Sequence, residues 1–281
     1  VNSPIDELVN FAKGKVYILR DDLLGDPFNG SKHRKYWGLF EYLKKLKPPC
    51  VIIPGSIASN HFVTSIDYCQ KQGLPCLGVT KKPYGPLRAN AQAAIKLLDN
   101  LIYVNDPFEE AKRLHEKMPG SFLMPLGGFH PEAAKTSLSL GYQIMDFHQK
   151  TPLEAVFFDA GTGLQAASAL LAMQERGFQG TAYVITMGPL DMAAVISQVS
   201  EWTARALPTF NVIVKRPDVA KKYGSSHPII ERFAIEFYNT YSIRLDAVYN
   251  SKLFYTAKQL LQEEHTLIVH SGGTYAGTIV G

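Results

Sequence analysis

The chain is expected to fold as an α/β protein whose parallel sheets are flanked by helices. Short apolar runs of strand length alternate with longer amphipathic runs along nearly the whole sequence. Strands covered on both faces read as continuous apolar stretches, and most of these runs do. One of them leads through Gly161-Thr162-Gly163 straight into a helical pattern, as a βα turn does. No internal repeat or low-complexity tract interrupts the alternation.

In chain order, KVYILR (15–20) is the first strand candidate, and a long amphipathic run follows the stretch FNGSKHRKY (28–36). CVIIPG, CLGVT, LIYVND and SFLMPLG come next, with helical patterns over 58–72, 88–99 and 107–117 between them. A helical run over 132–149 leads to AVFFDAG, TAYVITMG, FNVIVK and HTLIVHSGG, with helices expected over 163–177 and 189–206. These are many strands for one compact sheet. The four between residues 50 and 125 predict a smaller layer, and the rest, rejoined by the N-terminal strand, predict a larger one. A cleft between two such layers is a natural ligand site.

With 46% apolar and 19% charged residues, the 281-residue chain has the balance of a soluble globular protein. Its net charge of +4 is small, and its lysines are scattered or in short groups, so nucleic-acid binding is not indicated. The three cysteines, Cys50, Cys69 and Cys76, argue against a disulfide framework and for a reducing compartment. The opening VNSPIDELVNFAKGK lacks the apolar core of a signal peptide, and no apolar run approaches the length of a membrane span. A cytoplasmic protein is expected. The eight histidines show no ligand-type spacing, and no Gly-x-Ser-x-Gly elbow occurs, so neither metal nor serine-hydrolase chemistry is expected.

Several stretches could carry chemistry. Glycines at a helix start leave backbone N–H groups open to a phosphate, although a tight βα turn also needs them. The next strand ends without an acidic residue, so a monophosphate fits better than a dinucleotide. Ser59, Asn60 and His61 stand at a helix start after a strand, where Ser and Asn also serve as caps. Tyr249 and Asn250 lie in DAVYNSK, and Ser271 ends a strand before two glycines. Lys32 and Lys35 are three residues apart; lysines are mostly surface groups, so taken alone these two are read as charges on a solvated helix face.

Taken in order, LRDDLLG…NGSKHRKYWGLFEYL, GSIASNHFVTSIDYCQKQGL, MPLGGFHPEAAKTSLSLGYQI, YGSSHPIIERFA, LDAVYNSK and VHSGG resemble one family. It is the 1-aminocyclopropane-1-carboxylate deaminase and D-cysteine desulfhydrase branch of the fold-type-II pyridoxal-phosphate enzymes. The resemblance implies a two-domain, tryptophan synthase beta-like fold. Its larger discontinuous domain would be formed by residues 1–35 and 133–281, and its smaller one by 36–132. It implies a homodimer acting on a small amino-acid substrate, with no membrane or nucleic-acid partner.

By position, the resemblance gives Lys32 the Schiff-base attachment to pyridoxal 5'-phosphate, with Lys35 close by. It gives Asn60 the cofactor's phenolic oxygen, and Ser59, Asn60 and His61 the substrate. Gly161, Thr162, Gly163 and Leu164 become the phosphate turn, Tyr223 and Tyr249 the active-site tyrosines, and Ser271 the residue facing the pyridine nitrogen. Lys32, Ser59, Tyr223 and Tyr249 are the expected catalytic residues. The chain departs from the family at Ser31, usually Asn, at Leu164, usually Thr, and at Asn250, where the deaminases have Glu. The desulfhydrases have small hydroxyl residues at positions 250 and 271; Ser271 excludes the deaminases' Leu and matches the desulfhydrases, while Asn250 matches neither pattern. The resemblance therefore implies α,β-elimination of a D-amino acid such as D-cysteine to pyruvate, ammonia and sulfide. The alternatives are a cyclopropane deaminase or a cofactor-binding protein without turnover. A hydroxyl at Ser271 cannot hold a ring nitrogen protonated as a carboxylate does, so a mild electron sink is expected.

Overall fold

A computed structural model describes residues 2–25, 30–85, 87, 89–99, 101–261 and 265–273. The strands are β1 (Ile5–Glu7), β2 (Val16–Arg20), β3 (Val51–Pro54), β4 (Cys76–Thr80), β5 (Leu101–Tyr103), β6 (Phe122–Leu123), β7 (Ala155–Ala160), β8 (Thr181–Thr186), β9 (Asn211–Lys215) and β10 (Thr266–His270). The helices are α1 (Lys32–Leu46), α2 (Asn60–Lys71), α3 (Ala89–Leu97), α4 (Pro107–Lys117), α5 (Pro131–His148), α6 (Leu164–Glu175), α7 (Met192–Thr203), α8 (Pro228–Tyr241) and α9 (Asn250–Leu260). Among the described residues they build two sheets, β1-β2-β10-β7-β8-β9 and β5-β4-β3-β6.

Every pairing is parallel except that of β1 with β2. Each apolar run read from the sequence holds one strand. The four between 50 and 125 form the smaller sheet, and β2 returns to the larger one between β1 and β10. The short β1 has one apolar residue in three and no pattern to betray it. Helices α8 and α9 occupy a stretch in which the sequence reading places no element.

Helix α6 is buried almost throughout, with Leu164, Leu170, Leu171 and Met173 fully inside. It packs on α5 so closely at Gly141 that an added Cβ would stand 2.3 Å from the Ala169 carbonyl oxygen. Helix α1 crosses α5 in the same way at Gly38, where an added Cβ would meet the Glu132 carbonyl oxygen at 2.3 Å. These two contacts fix α1 and α6 relative to one another through α5.

A buried polar cluster completes the attachment of α1. The Arg34 guanidinium donates to both oxygens of Asp21, at 2.9 and 2.8 Å, and to Gln143 Oε1 at 2.6 Å. It also reaches Ser3 Oγ at 3.1 Å and Ser139 Oγ at 3.2 Å. A paired and forked guanidinium satisfies a buried carboxylate that would otherwise be costly.

Candidate active site

The carboxyl ends of β3, β7 and β10 converge with the N-termini of α1, α2 and α6 on one cleft. It encloses about 790 Å³, part of it open to solvent. Lys32, Lys35, Ser59, Asn60, His61, Gly161, Thr162, Gly163, Tyr223, Tyr249 and Ser271 all line it. Leu164 does not. Its side chain is fully buried in the main core, so only its backbone is available to a ligand.

Lys32 is the first residue of α1. The turn before it is tied to the end of β10, because Ser31 N donates to Ser271 O at 2.8 Å. Gly30, in the left-handed region at φ 48°, lies against the same carbonyl: an added Cβ would stand 2.6 Å from it. Burial lowers the Lys32 pKa, opposed by the charges of Asp159 and Asp246. Lys35, one turn on, donates to the Gly127 carbonyl at 3.2 Å. Burial, and then the like charge of Lys32, bring Lys35 down to about 7.

The start of α2 both caps the helix and lines the cleft. Ser59 Oγ accepts from Phe62 N at 3.0 Å. Asn90, fully buried on α3, donates from one amide nitrogen to Ala58 O at 3.1 Å and Asn60 Oδ1 at 2.7 Å. A backbone carbonyl can only accept, so the Asn90 amide has one orientation, and Asn60 turns its oxygen toward it. The Asn60 NH2 is thereby left to the cleft, beside Gly273, where an added Cβ would lie 2.5 Å from that nitrogen. His61 is bonded through Nδ1 to the Tyr36 hydroxyl at 2.5 Å, while its buried Nε2 has no protein partner. Burial and the charges of Lys32 and Lys35 lower its pKa to about 3, so the ring is neutral.

At α6, Gly163 is the N-cap at φ 79° and offers no side-chain cap, leaving the N–H groups of the first turn open. An added Cβ there would stand 3.0 Å from Met192 Sδ and 3.1 Å from Leu190 Cδ2. Glycine is thus required by both the backbone angle and the packing of α7. Gly163→Val is expected to lower stability by about 1–3 kcal/mol, from overpacking and left-handed strain. A urea midpoint equal to that of wild type would show that α7 yields freely.

Tyr249 Oη and Tyr223 Oη are 2.9 Å apart, and Tyr249 closes over Gly161, whose added Cβ would be 3.0 Å from its oxygen. Burial, then Tyr223, hold the Tyr249 pKa well above the usual phenol value. Asn250 does not line the cleft. Its amide nitrogen donates to Gly272 O at 2.6 Å and to Asp246 Oδ2, and its oxygen accepts from Ser271 N at 3.1 Å. It is the bolt between α9 and the end of β10.

Four functional positions escape the sequence reading: Tyr36, Asn90, Asp159 and Gln165. Tyr36 and Asn90 act from behind the lining and carry no local motif. Gln165 lines the cleft with a buried Nε2 that has no partner. Asp159 had a signal, as the lone charge in the apolar run AVFFDA that forms β7. Among the described residues, no group of His, Cys, Asp and Glu could hold a metal ion.

The arrangement suits a small anion carried by an aldehyde. It offers open helix N–H groups behind two glycines, a lysine whose pKa is about 7, an unpartnered amide on Gln165, and a second lysine whose pKa is lowered by burial.

No family model matches the chain. A putative 1-aminocyclopropane-1-carboxylate deaminase of Pyrococcus furiosus is 25% identical, over 96% of this chain and 89% of its own length. A D-cysteine desulfhydrase of Yersinia pestis is 26% identical over 44% of this chain and 42% of its own. The crystal structure of a homologue of 1-aminocyclopropane-1-carboxylate deaminase superposes with a TM-score of 0.86, at 21% identity, covering 98% of this chain and 90% of that one. The chain is similar in sequence to these deaminases and desulfhydrases, and its fold is the fold-type-II architecture. Within that fold-type-II architecture the cleft lies at the strand ends where the two sheets meet, as the alternation of strands and helices leads one to expect. Among the described residues no helix is long and apolar enough to cross a membrane.

Proposed function

We propose that the protein is a pyridoxal-phosphate-dependent lyase that eliminates the β-substituent of a D-amino acid, converting D-cysteine to pyruvate, ammonia and sulfide. The supporting observation is that Lys32, its pKa depressed, shares one cleft with the open, glycine-led N-terminus of α6. Attachment of an aldehyde needs an amine free of its proton, and the phosphate needs donors. When bound, the cofactor supplies an electron sink for carbanion chemistry.

Lys32 is the attachment residue and, once freed by substrate, takes the α-proton. Tyr249 is too firmly protonated to serve as that base; its hydroxyl donates and positions, with Tyr223 behind it. Gly161, Thr162, Gly163 and the Leu164 backbone cradle the phosphate, and Lys35 supplies charge. The Asn60 NH2 meets the ring oxygen, Ser271 lies at the ring nitrogen, and Ser59 and His61 hold the substrate carboxylate. The same proposal includes a homodimer in a reducing cytoplasm, where Cys50, Cys69 and Cys76 stay free thiols. It also divides the chain into units of 36–132 and of 1–35 with 133–281; the division falls within α1.

The Pyrococcus furiosus relative, matched along nearly the whole chain, favours ring-opening deamination as the second reading. Against it, Asn250 carries no charge, and its carboxamide is already spent on Asp246, Gly272 and Ser271. Steady-state assays separate the two. Pyruvate and sulfide from D-cysteine, with little 2-oxobutanoate from the cyclopropane amino acid, are expected. Robust 2-oxobutanoate formation would replace elimination by deamination, and a bound cofactor with no turnover on any D-amino acid would leave a binding protein.

Lys35 gives the proposal a pH signature. Its folded pKa of about 7 is below the ordinary 10.5, so between the two the unfolded chain holds the extra proton and stability rises with pH. An anion beside Lys35 raises its pKa, so binding takes up a proton in that window. Affinity for a phosphate monoester, already a dianion above pH of about 6, is expected to fall as pH rises from 7 toward 10.5. Calorimetric titration should show the fall in wild type and its absence in Lys35→Met.

A further inference from the structure

One carboxylate lines the cleft among the described residues, and the elimination scheme above leaves it without a task. Asp159 stands near the carboxyl end of β7, just before the glycine turn, half-buried in the wall of the cleft. Ser271 lines the same cleft, at the end of the neighbouring strand β10, and its hydroxyl acts to lower the Asp159 pKa. Ser271 in turn is fixed on both sides: its N–H donates to Asn250 Oδ1 at 3.1 Å, and its carbonyl accepts from Ser31 N at 2.8 Å. Serine and carboxylate therefore reach the same cleft from the ends of two neighbouring strands of the larger sheet.

We propose that Asp159, paired with Ser271, is the partner of the cofactor's ring nitrogen and holds that nitrogen protonated. This assignment rests on the reading of the cleft as a pyridoxal-phosphate site with Ser271 at the ring nitrogen. Pyridoxal-phosphate sites commonly place a charged residue at the ring nitrogen, and an acidic one favours the pyridinium form and a stronger electron sink. The sequence puts only a hydroxyl there, which implies a mild sink; the structure adds a carboxylate to the same cleft.

The charge balance of the site agrees. Lys32 and Lys35 from α1 and Asp246 from the turn before α9 act on Asp159, and Asp159 in turn acts on Tyr249. Burial, reinforced by Asp246 and opposed by Ser271 and the two lysines, pushes the Asp159 carboxyl up to about 6. It is still mostly ionised at neutral pH, and a ring N–H adds a donor that its oxygens can use. The carboxylate also lies on a different element from Asn250, where the deaminases have Glu. The negative charge missing from α9 is thus supplied from β7.

The test is the protonation state of the ring nitrogen, read by 15N NMR of enzyme loaded with ring-labelled pyridoxal phosphate. The wild-type signal is expected at the upfield pyridinium position, moving to the neutral pyridine position in Asp159→Asn. A neutral signal in the wild type overturns the assignment without any variant. So does a pyridinium signal retained in cofactor-loaded Asp159→Asn. If that variant fails to fold, Asp159→Glu provides the second measurement: the pyridinium signal should persist, and its loss counts against the assignment. Wild-type protein that takes up no pyridoxal phosphate overturns the proposed function itself, and this assignment with it.

Discussion

Lys32→Ala is expected to abolish covalent retention of pyridoxal phosphate and to cut elimination by on the order of 10²–10⁴-fold, the usual worth of a positioned proton-transfer group. The amine is depressed chiefly by burial, so removing it relieves a desolvation cost, and the variant should fold at least as well as wild type. Lost activity with an unchanged urea midpoint would separate chemistry from folding. Borohydride reduction and peptide mapping check the same point directly. The tag belongs on Lys32; a tag on Lys35 would move the attachment one helical turn along α1.

Arg34→Met is expected to lower stability by about 3–5 kcal/mol, because it leaves the Asp21 carboxylate buried without its partner. Both side chains are wholly buried, and Gln143 and Ser3 also lose a donor. The urea midpoint should shift with the slope unchanged. If Asp21→Leu is added, part of the loss should return, since a buried pair replaced by apolar groups is often neutral. A loss below about 1 kcal/mol in Arg34→Met, within the range of exposed pairs, would show that water reaches the cluster.

The sequence made the frame and the cleft legible through different signals. Apolar runs such as AVFFDA and TLIVH announced their strands because both faces of each are covered. The lysines of α1 and the Ser59–His61 segment were legible through the family resemblance, not through their own spacing, and the structure brings both to one cleft. Leu164 shows the limit of motif reading: it occupies a phosphate-turn position while its side chain belongs to the core. Asn250 shows another. Its identity invites a reading in terms of substrate, yet its amide is occupied in joining α9 to β10. Asp159 was hidden for a physical reason. A charge at the end of an apolar strand has the same sequence whether it faces bulk solvent or the wall of a cleft, and only packing decides.

The Asn90 contact to Ala58 and Asn60 has a consequence for anyone redesigning this scaffold. A graft that copies every cleft-lining residue and leaves out Asn90 reproduces the inventory of the site but not its polarity. Without that donor, nothing forbids the Asn60 amide from rotating half a turn and presenting oxygen where the parent presents hydrogen. The substitution would be invisible in a comparison of cleft residues, since Asn90 does not line the cleft and sits on another helix. Asn90 therefore belongs in the minimal set of residues to transplant, ahead of lining positions such as Leu140 and Val269 that contribute only apolar wall.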